Sequence, residues 1–267
     1  MQFDWPAITP SSQHVLLQLQ SPYHTYTSAL SLSREIQAKM HQAAIRCLSE
    51  LIICLPYMPY ARNPYLLDVM LSSVISHQNT QTALPCYTNV HFVALDIHNS
   101  HDPRICNLYP AKLFAEQIIT FTGGHENCFV FAPDRGATWR AHKIAKELHA
   151  PVIVANKMRR KDHSCDIQIM SCGDEFDINE CLKTRDFCIL VDDIVASGET
   201  LRAAVSCIKN IGTKHIIAVI THTVIAPVWP LLNDIDAWIT TNTFPSSAQF
   251  TIVDIAPFIV SAITNRT

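Results

Sequence analysis

Two hydrophobic patterns alternate along this 267-residue chain. Short apolar runs rich in Val, Ile, Leu and Phe have the look of strands buried on both faces. Between them lie stretches in which apolar residues recur every three or four positions, as on one face of a helix. The runs at 14–20, 51–55, 90–95, 128–131, 151–155, 166–170, 187–191, 216–221, 237–240 and 250–254 predict strands. Leu32, Ile36, Met40, Ala43 and Cys47 mark one helix face, and 65–75, 111–119, 138–148 and 199–208 predict further helices. A last helix follows residue 254. Strands alternating with helices in this way argue for an α/β fold of parallel sheets covered by helices. Gly123 and Gly124, followed by polar residues 125–127, read as a joint between two similar halves, 1–126 and 127–267.

Composition narrows the picture. The chain is 48% hydrophobic and 16% charged, which supports a substantial core and argues against disorder. A net charge of −3 offers no basic field for nucleic acid. No run of about 18 apolar residues predicts a membrane span. The N-terminal stretch MQFDWPAITP lacks the basic start and apolar centre of a signal peptide. The ten cysteines are scattered and form no C-x-x-C pair, so buried free thiols in a reducing cytoplasm are expected.

The most informative stretch is 187–205, FCILVDDIVASGETLRAAV. An apolar strand ends in Asp192 and Asp193. A loop of small residues, Ala196, Ser197, Gly198, Glu199 and Thr200, leads into a helix marked by Leu201, Ala204 and Val205. Ligands of open α/β sheets sit outside the carboxyl ends of strands. Backbone N–H groups at a helix N-terminus suit a phosphate, and paired carboxylates suit sugar hydroxyls or Mg²⁺. A strand, an acidic turn and an N-capped helix would also explain the pattern on structural grounds alone.

This segment resembles the ribose-phosphate loop of phosphoribosyltransferases and ribose-phosphate diphosphokinases, the PRPP synthetases. Four further matches select the diphosphokinase family, and they occur in family order. Residues 56–62, PYMPYAR, resemble its ATP-site segment. Residues 95–98, LDIH, resemble its LDLH motif, and 132–136, APDRG, its SPDxG turn. Residues 156–160, NKMRR, resemble the start of its catalytic loop; Thr241, Asn242 and Thr243 stand where the family has TNT. The resemblance runs over about residues 14–265.

It implies two doubly wound, parallel-sheet domains of phosphoribosyltransferase type, with the last helix, 255–267, packing back on the first. It implies Mg²⁺-dependent transfer of the diphosphoryl group of ATP to the anomeric hydroxyl of a ribose phosphate, giving PRPP and AMP. Lys157 and Arg159 would act on the transferring phosphates from a polar, mobile loop. Arg62 and His98 would bind ATP, with His98 and Asp134 as Mg²⁺ ligands. Asp134, Asp192, Asp193, Ala196, Ser197, Gly198 and Thr200 would hold the ribose phosphate. The implied partners are small molecules, with neither nucleic acid nor membrane, and the protein would be a cytoplasmic homo-oligomer.

Departures from the family pattern leave alternatives open. Ala196 replaces an acid or hydroxyl residue, and Glu199 stands where glycine is usual. Pointing inward, Glu199 would disfavour a dianionic phosphate by roughly 1–4 kcal/mol and favour a diester acceptor such as ADP-ribose. Pointing outward, it would sit well at a helix N-terminus. The family's front segment is reduced to residues 1–13, with Phe3, Asp4 and Trp5 as an echo of its FxDGE loop. Asn63, Pro64 and Tyr65 replace its QDR. Together with Ala196, the short front suggests a further alternative, a non-catalytic PRPP-synthetase-associated subunit.

Overall fold

A computed structural model describes residues 14–18, 50–59, 61–76, 89–98, 102–159, 165–171, 181, 183–224, 233–244 and 249–264. The helix expected over 32–47 lies outside these residues, as does Arg160. The chain forms two compact units that divide between Leu108 and Tyr109.

The first unit holds a four-stranded parallel sheet in the order β1 (His14–Gln18), β2 (Glu50–Leu55), β3 (Asn89–Leu95), β4 (Ile105–Leu108). Helix α1 (Pro64–Ser76) starts with proline at its first position, where its missing N–H costs nothing. Asn63 caps it, its Oδ1 accepting the Leu66 N–H at 3.2 Å. Ile52, Ile53, Leu55, Met70, Leu71, Val74, Phe92 and Leu95 form its buried interior. Strand β4 was not among the strands read from the pattern. It is only four residues long, with Ile105, Cys106 and Leu108 half-buried and Asn107 exposed, as suits an edge strand.

The second unit is a seven-stranded sheet in the order β11-β10-β9-β8-β5-β6-β7. Its strands are β5 (Cys128–Ala132), β6 (Val152–Arg159), β7 (Cys165–Ser171), β8 (Phe187–Val195), β9 (His215–Thr223), β10 (Ala237–Thr241) and β11 (Thr251–Val253). Every pairing is parallel except β6 with β7. Helix α4 (Glu199–Asn210) puts Leu201, Ala204, Val205 and Ile208 against Phe129, Phe131, Cys188, Leu190, Ala218 and Ile220. Side chains alternate across a strand, so Val130, Ile189 and Val191 belong to the opposite face, and they too are buried. There α3 (Thr138–Leu148) lies along β5, β6 and β8, and α2 (Ala111–Thr122) packs on α3. Helices on both faces make this unit doubly wound, as expected.

Three expectations change. The division falls ahead of α2 because that helix packs on α3 and reaches β10 and β11. Gly123 is then a helix cap and no joint. It adopts φ 71°, which glycine takes without strain, and returns its N–H to the Ile119 carbonyl. The closing helix α5 (Ala256–Thr264), expected on the first half, is counted with the second unit. Finally, Lys157 and Arg159 lie in no polar loop. Strand β6 runs through them, pairing Lys157 with Ile167 and Arg159 with Cys165 of β7. Polar side chains did not end the strand, because the ladder is made by backbone groups.

Candidate functional site

The order of the strands locates the site. From β5 the chain goes to β6 on one side and later returns to β8 on the other. Between β5 and β8 the winding reverses, and crevices at such switch points bind ligands outside the carboxyl strand ends. The segments past β5 and at the end of β8 are the two read from the sequence as binding ribose phosphate.

Past β5, Asp134 closes a tight turn. Its Oδ1 accepts the Ala137 N–H at 3.0 Å, capping the single helical turn Arg135–Ala137. Asp134 is half-buried, so the cap does not remove it from solvent. Gly136 has little room, since a Cβ there would stand 3.2 Å from the Asp134 carboxylate.

At β8 the strand continues through the acid pair as far as Val195, two residues beyond it. Asp193 is buried and Asp192 half-buried. The Asp193 N–H donates to Asp192 Oδ1 at 2.9 Å. Burial, and then the neighbouring charges of Asp193 and Asp134, push the Asp192 carboxyl well above the ordinary carboxylate range. The neighbouring acids disfavour a charge on Asp192, which favours cations and hydroxyl donors nearby.

Arg140 was not singled out from the sequence. It lies on α3 with 1% of its side chain exposed, and its Nη2 stands 3.8 Å from Asp193 Oδ2. Its Nη1 donates to the Gly136 carbonyl at 2.9 Å, and its guanidinium lies 4.6 Å from the centre of the Trp139 ring. Breaking a buried ion pair by removing one partner costs roughly 3–5 kcal/mol. One signal was available. Arg140 falls in the helical stripe shared by Ala141, Ile144, Ala145 and Leu148, where a charge is out of place unless paired.

The loop after β8 begins a helix. Gly198 is buried and adopts φ 75° as the N-cap of α4. The first turn of a helix leaves N–H groups without intrahelical partners, and its dipole favours an anion. Ala196 and Thr200 are half-buried and Ser197 is exposed. Glu199 is exposed, as in the outward reading of that residue. Nearby, at the ends of β9 and β10, buried His222 contacts Thr243 Oγ1 through Nδ1 at 2.9 Å. Thr241 donates its hydroxyl to the Thr221 carbonyl at 2.7 Å. The TNT segment thus ties these strand ends together.

Lys157 and Arg159 lie on the far part of β6. Parallel pairing with β5 ends at Val154, the register shifts between Val154 and Ala155, and from there β6 pairs with β7 alone.

The residues expected to bind nucleotide belong to the first unit. Arg62 is exposed in the turn between β2 and α1, beside Asn63. His98 is half-buried and follows β3 after a sharp bend. Asp96 makes that bend at φ 49°, and its N–H donates to the Leu108 carbonyl at 2.8 Å. The Ile97 N–H donates to Asn107 Oδ1 at 2.9 Å.

Among the described residues, no three His, Cys, Asp or Glu side chains gather as a metal cluster. Mg²⁺ commonly takes only one or two carboxylates, completing its shell with water and substrate phosphates. The mutual repulsion at Asp192 fits such a cation. A cavity of about 780 Å³ lies elsewhere, at the amino ends of the strands, lined by His125, Glu126, His149, Cys181, Thr184 and Arg185.

Residues 111–243 match the phosphoribosyl transferase domain. Ribose-phosphate pyrophosphokinase 5 of Schizosaccharomyces pombe is 30% identical over 67% of this chain and 53% of its own length. The ribose-phosphate pyrophosphokinase of Pyrococcus abyssi is 26% identical over 88% of this chain and 79% of its own. The chain spans about half the length of the first curated relatives it matches. A crystal structure of phosphoribosylpyrophosphate synthetase from Mycobacterium smegmatis superposes with a TM-score of 0.66, covering 94% of this chain and 80% of that one at 23% identity. That likeness shows a shared fold. With the matched domain spanning residues 111–243, and relatives of one name matching as much as 88% of the chain, the protein belongs to the ribose-phosphate pyrophosphokinase family.

Proposed function

We propose that this protein transfers the diphosphoryl group of ATP to the anomeric hydroxyl of ribose 5-phosphate, giving PRPP and AMP. The observation that carries the reading is the end of β8. An acid pair and a glycine-capped helix N-terminus stand together there at a switch point of the sheet. The N–H groups of Ser197 to Thr200 would hold the 5-phosphate, and Asp192 and Asp193 the ribose hydroxyls. Asp134, past the adjacent strand, would hold the sugar or a cation. In the first unit, Arg62 and His98 would bind the nucleotide.

Diphosphoryl transfer needs in-line positioning and charge neutralisation, with little covalent help from the protein. Lys157 and Arg159 would meet the charge that develops on the phosphates, Lys as a point charge and Arg as a two-pronged donor. His98 in the first unit and Asp134 in the second are the residues that would hold Mg²⁺, which would supply charge neutralisation to the phosphates. The exposed side chain of Glu199 is compatible with its outward reading and with ribose 5-phosphate as acceptor. Free thiols at Cys54, Cys106, Cys128, Cys181, Cys188 and Cys207 support a reducing compartment such as the cytoplasm.

The test is direct. Protein incubated with Mg-ATP and ribose 5-phosphate is expected to release AMP and form a diphosphorylated sugar, with ADP-ribose a poor acceptor. AMP release with ADP-ribose alone would move the acceptor. Failure to form AMP with any ribosyl acceptor would overturn the reading in favour of a non-catalytic subunit.

A further inference from the structure

Resting on the proposed ribose-phosphate site, we infer that Arg140 is a positioning residue. It clamps the Asp134 turn and the Asp192–Asp193 pair into one rigid acceptor site. The contacts form a continuous series. Asp134 caps Ala137 at 3.0 Å, and the Gly136 carbonyl of that turn accepts Arg140 Nη1 at 2.9 Å. Arg140 Nη2 faces Asp193 Oδ2 at 3.8 Å, and the Asp193 N–H holds Asp192 Oδ1 at 2.9 Å. Arg140 therefore touches both acceptor-binding segments from within the protein, through one planar group.

Its burial matters to the role. With 1% of its side chain exposed, Arg140 has no solvent route to a substrate and acts through its neighbours. Asp193, with 4% of its side chain exposed, is oriented by a charge behind it. Asp192, on the opposite face of the strand, keeps partial exposure. Successive strand residues point to opposite sheet faces, so a cation on α3 reaches Asp193 first. Trp139, whose ring lies 4.6 Å from the Arg140 guanidinium carbon, adds a flat wall that limits its rotation. A lysine at this position would keep the charge and lose the two-direction fork.

The experiment is a double-mutant cycle on the full-length chain, with Arg140→Met, Asp193→Asn and the pair, read as separate KM values for ribose 5-phosphate and ATP alongside kcat and Tm. Arg140→Met is expected to raise the acceptor KM at least tenfold while the ATP KM stays within twofold. General loosening of the fold would move both. Because Arg140 acts through Asp193, the double variant is expected to be no worse for the acceptor than the worse single variant. Arg140→Lys, which also serves if Arg140→Met fails to fold, is expected to raise the acceptor KM by threefold or more with ATP unchanged. An acceptor KM within twofold of wild type in a folded Arg140 variant would overturn the inference, as would single effects that simply multiply. Wild-type protein that turns over ribose 5-phosphate isolates that failure to Arg140. Wild type that neither binds nor uses a ribosyl phosphate would fell the underlying site assignment, and this inference with it.

Discussion

The two charged regions of the second unit are braced differently. The acid end of β8 has run past its last pairing with β5, at Leu190, but stays paired with β9 as far as Val195, and Arg140 stands behind it. The cationic end of β6 has left its parallel neighbour and is paired with β7 alone. An isolated two-stranded ribbon is marginally stable in water, whereas the strand that holds the acids, β9, is itself paired with β10 as far as Ile220. Under the proposed function, the difference would separate two tasks. Holding a sugar phosphate in one geometry needs a fixed frame. Bringing cations to a phosphate, and releasing product afterwards, suits an arm that moves.

The sharpest way to break this contrast is to remove the arm's charges. Lys157→Ala and Arg159→Ala are each expected to slow turnover by roughly 10²–10⁵-fold, the range for cations that act on the transition state of phosphoryl transfer. Tm should stay near wild type. Steady-state kinetics checks this, and turnover within twofold of wild type would remove the arm from the chemistry.

A second, smaller effect belongs to the frame. The Asp192 carboxyl is raised well above its ordinary value, first by burial and then by Asp193. Its protonated form is therefore favoured by folding. The stability this contributes is fully present in and below the ordinary carboxylate range, and is lost as pH rises through the raised value. Thermal unfolding of the ligand-free protein should thus weaken with rising pH over that window. In Asp192→Asn the dependence should flatten. An unchanged pH profile in that variant would mean that the acids repel one another less than their placement implies.

The smallest expected effect is at Glu199. Since its side chain is exposed, Glu199→Gly should leave the ratio of kcat/KM for ribose 5-phosphate and ADP-ribose within about twofold of wild type. Removing an acid from a helix N-terminus should lower stability by about 0.3–1 kcal/mol. A tenfold gain for ribose 5-phosphate would place the carboxylate in the phosphate loop after all.

Much of this was legible beforehand, and the misses have physical causes. Apolar runs found the strands because parallel strands buried on both faces must be apolar throughout, as Cys128–Ala132 is. The same rule stopped β6 and β8 too early, at Ala155 and Val191. Their ladders continue through polar residues wherever a neighbouring strand remains to accept the backbone bonds. It also passed over β4, whose four edge residues bury little. Motif spacing brought Asp134 and Asp192–Asp193 to adjacent strand ends, but it is silent on what stands behind them. Arg140 was missed because pattern reading treats a lone charge in an apolar stripe as noise. Gly123 was read as a joint because glycine marks caps and linkers alike; only the φ of 71° distinguishes them.

The sheet's winding also sets a timetable for synthesis. Strand β5 takes one neighbour, β6, from the chain that follows at once, but its other neighbour is β8. The Asn127 side chain just ahead of β5 bonds the Asp186 N–H 59 positions later. At a translation rate of about 5–20 residues per second, the middle of the sheet stays open on one side for roughly 3–12 s after β5 is made. During that interval Phe129 and Phe131, later covered by α4, have no helix to shelter them. For this fold the interval of greatest exposure to aggregation comes during synthesis, before the acid end of β8 exists.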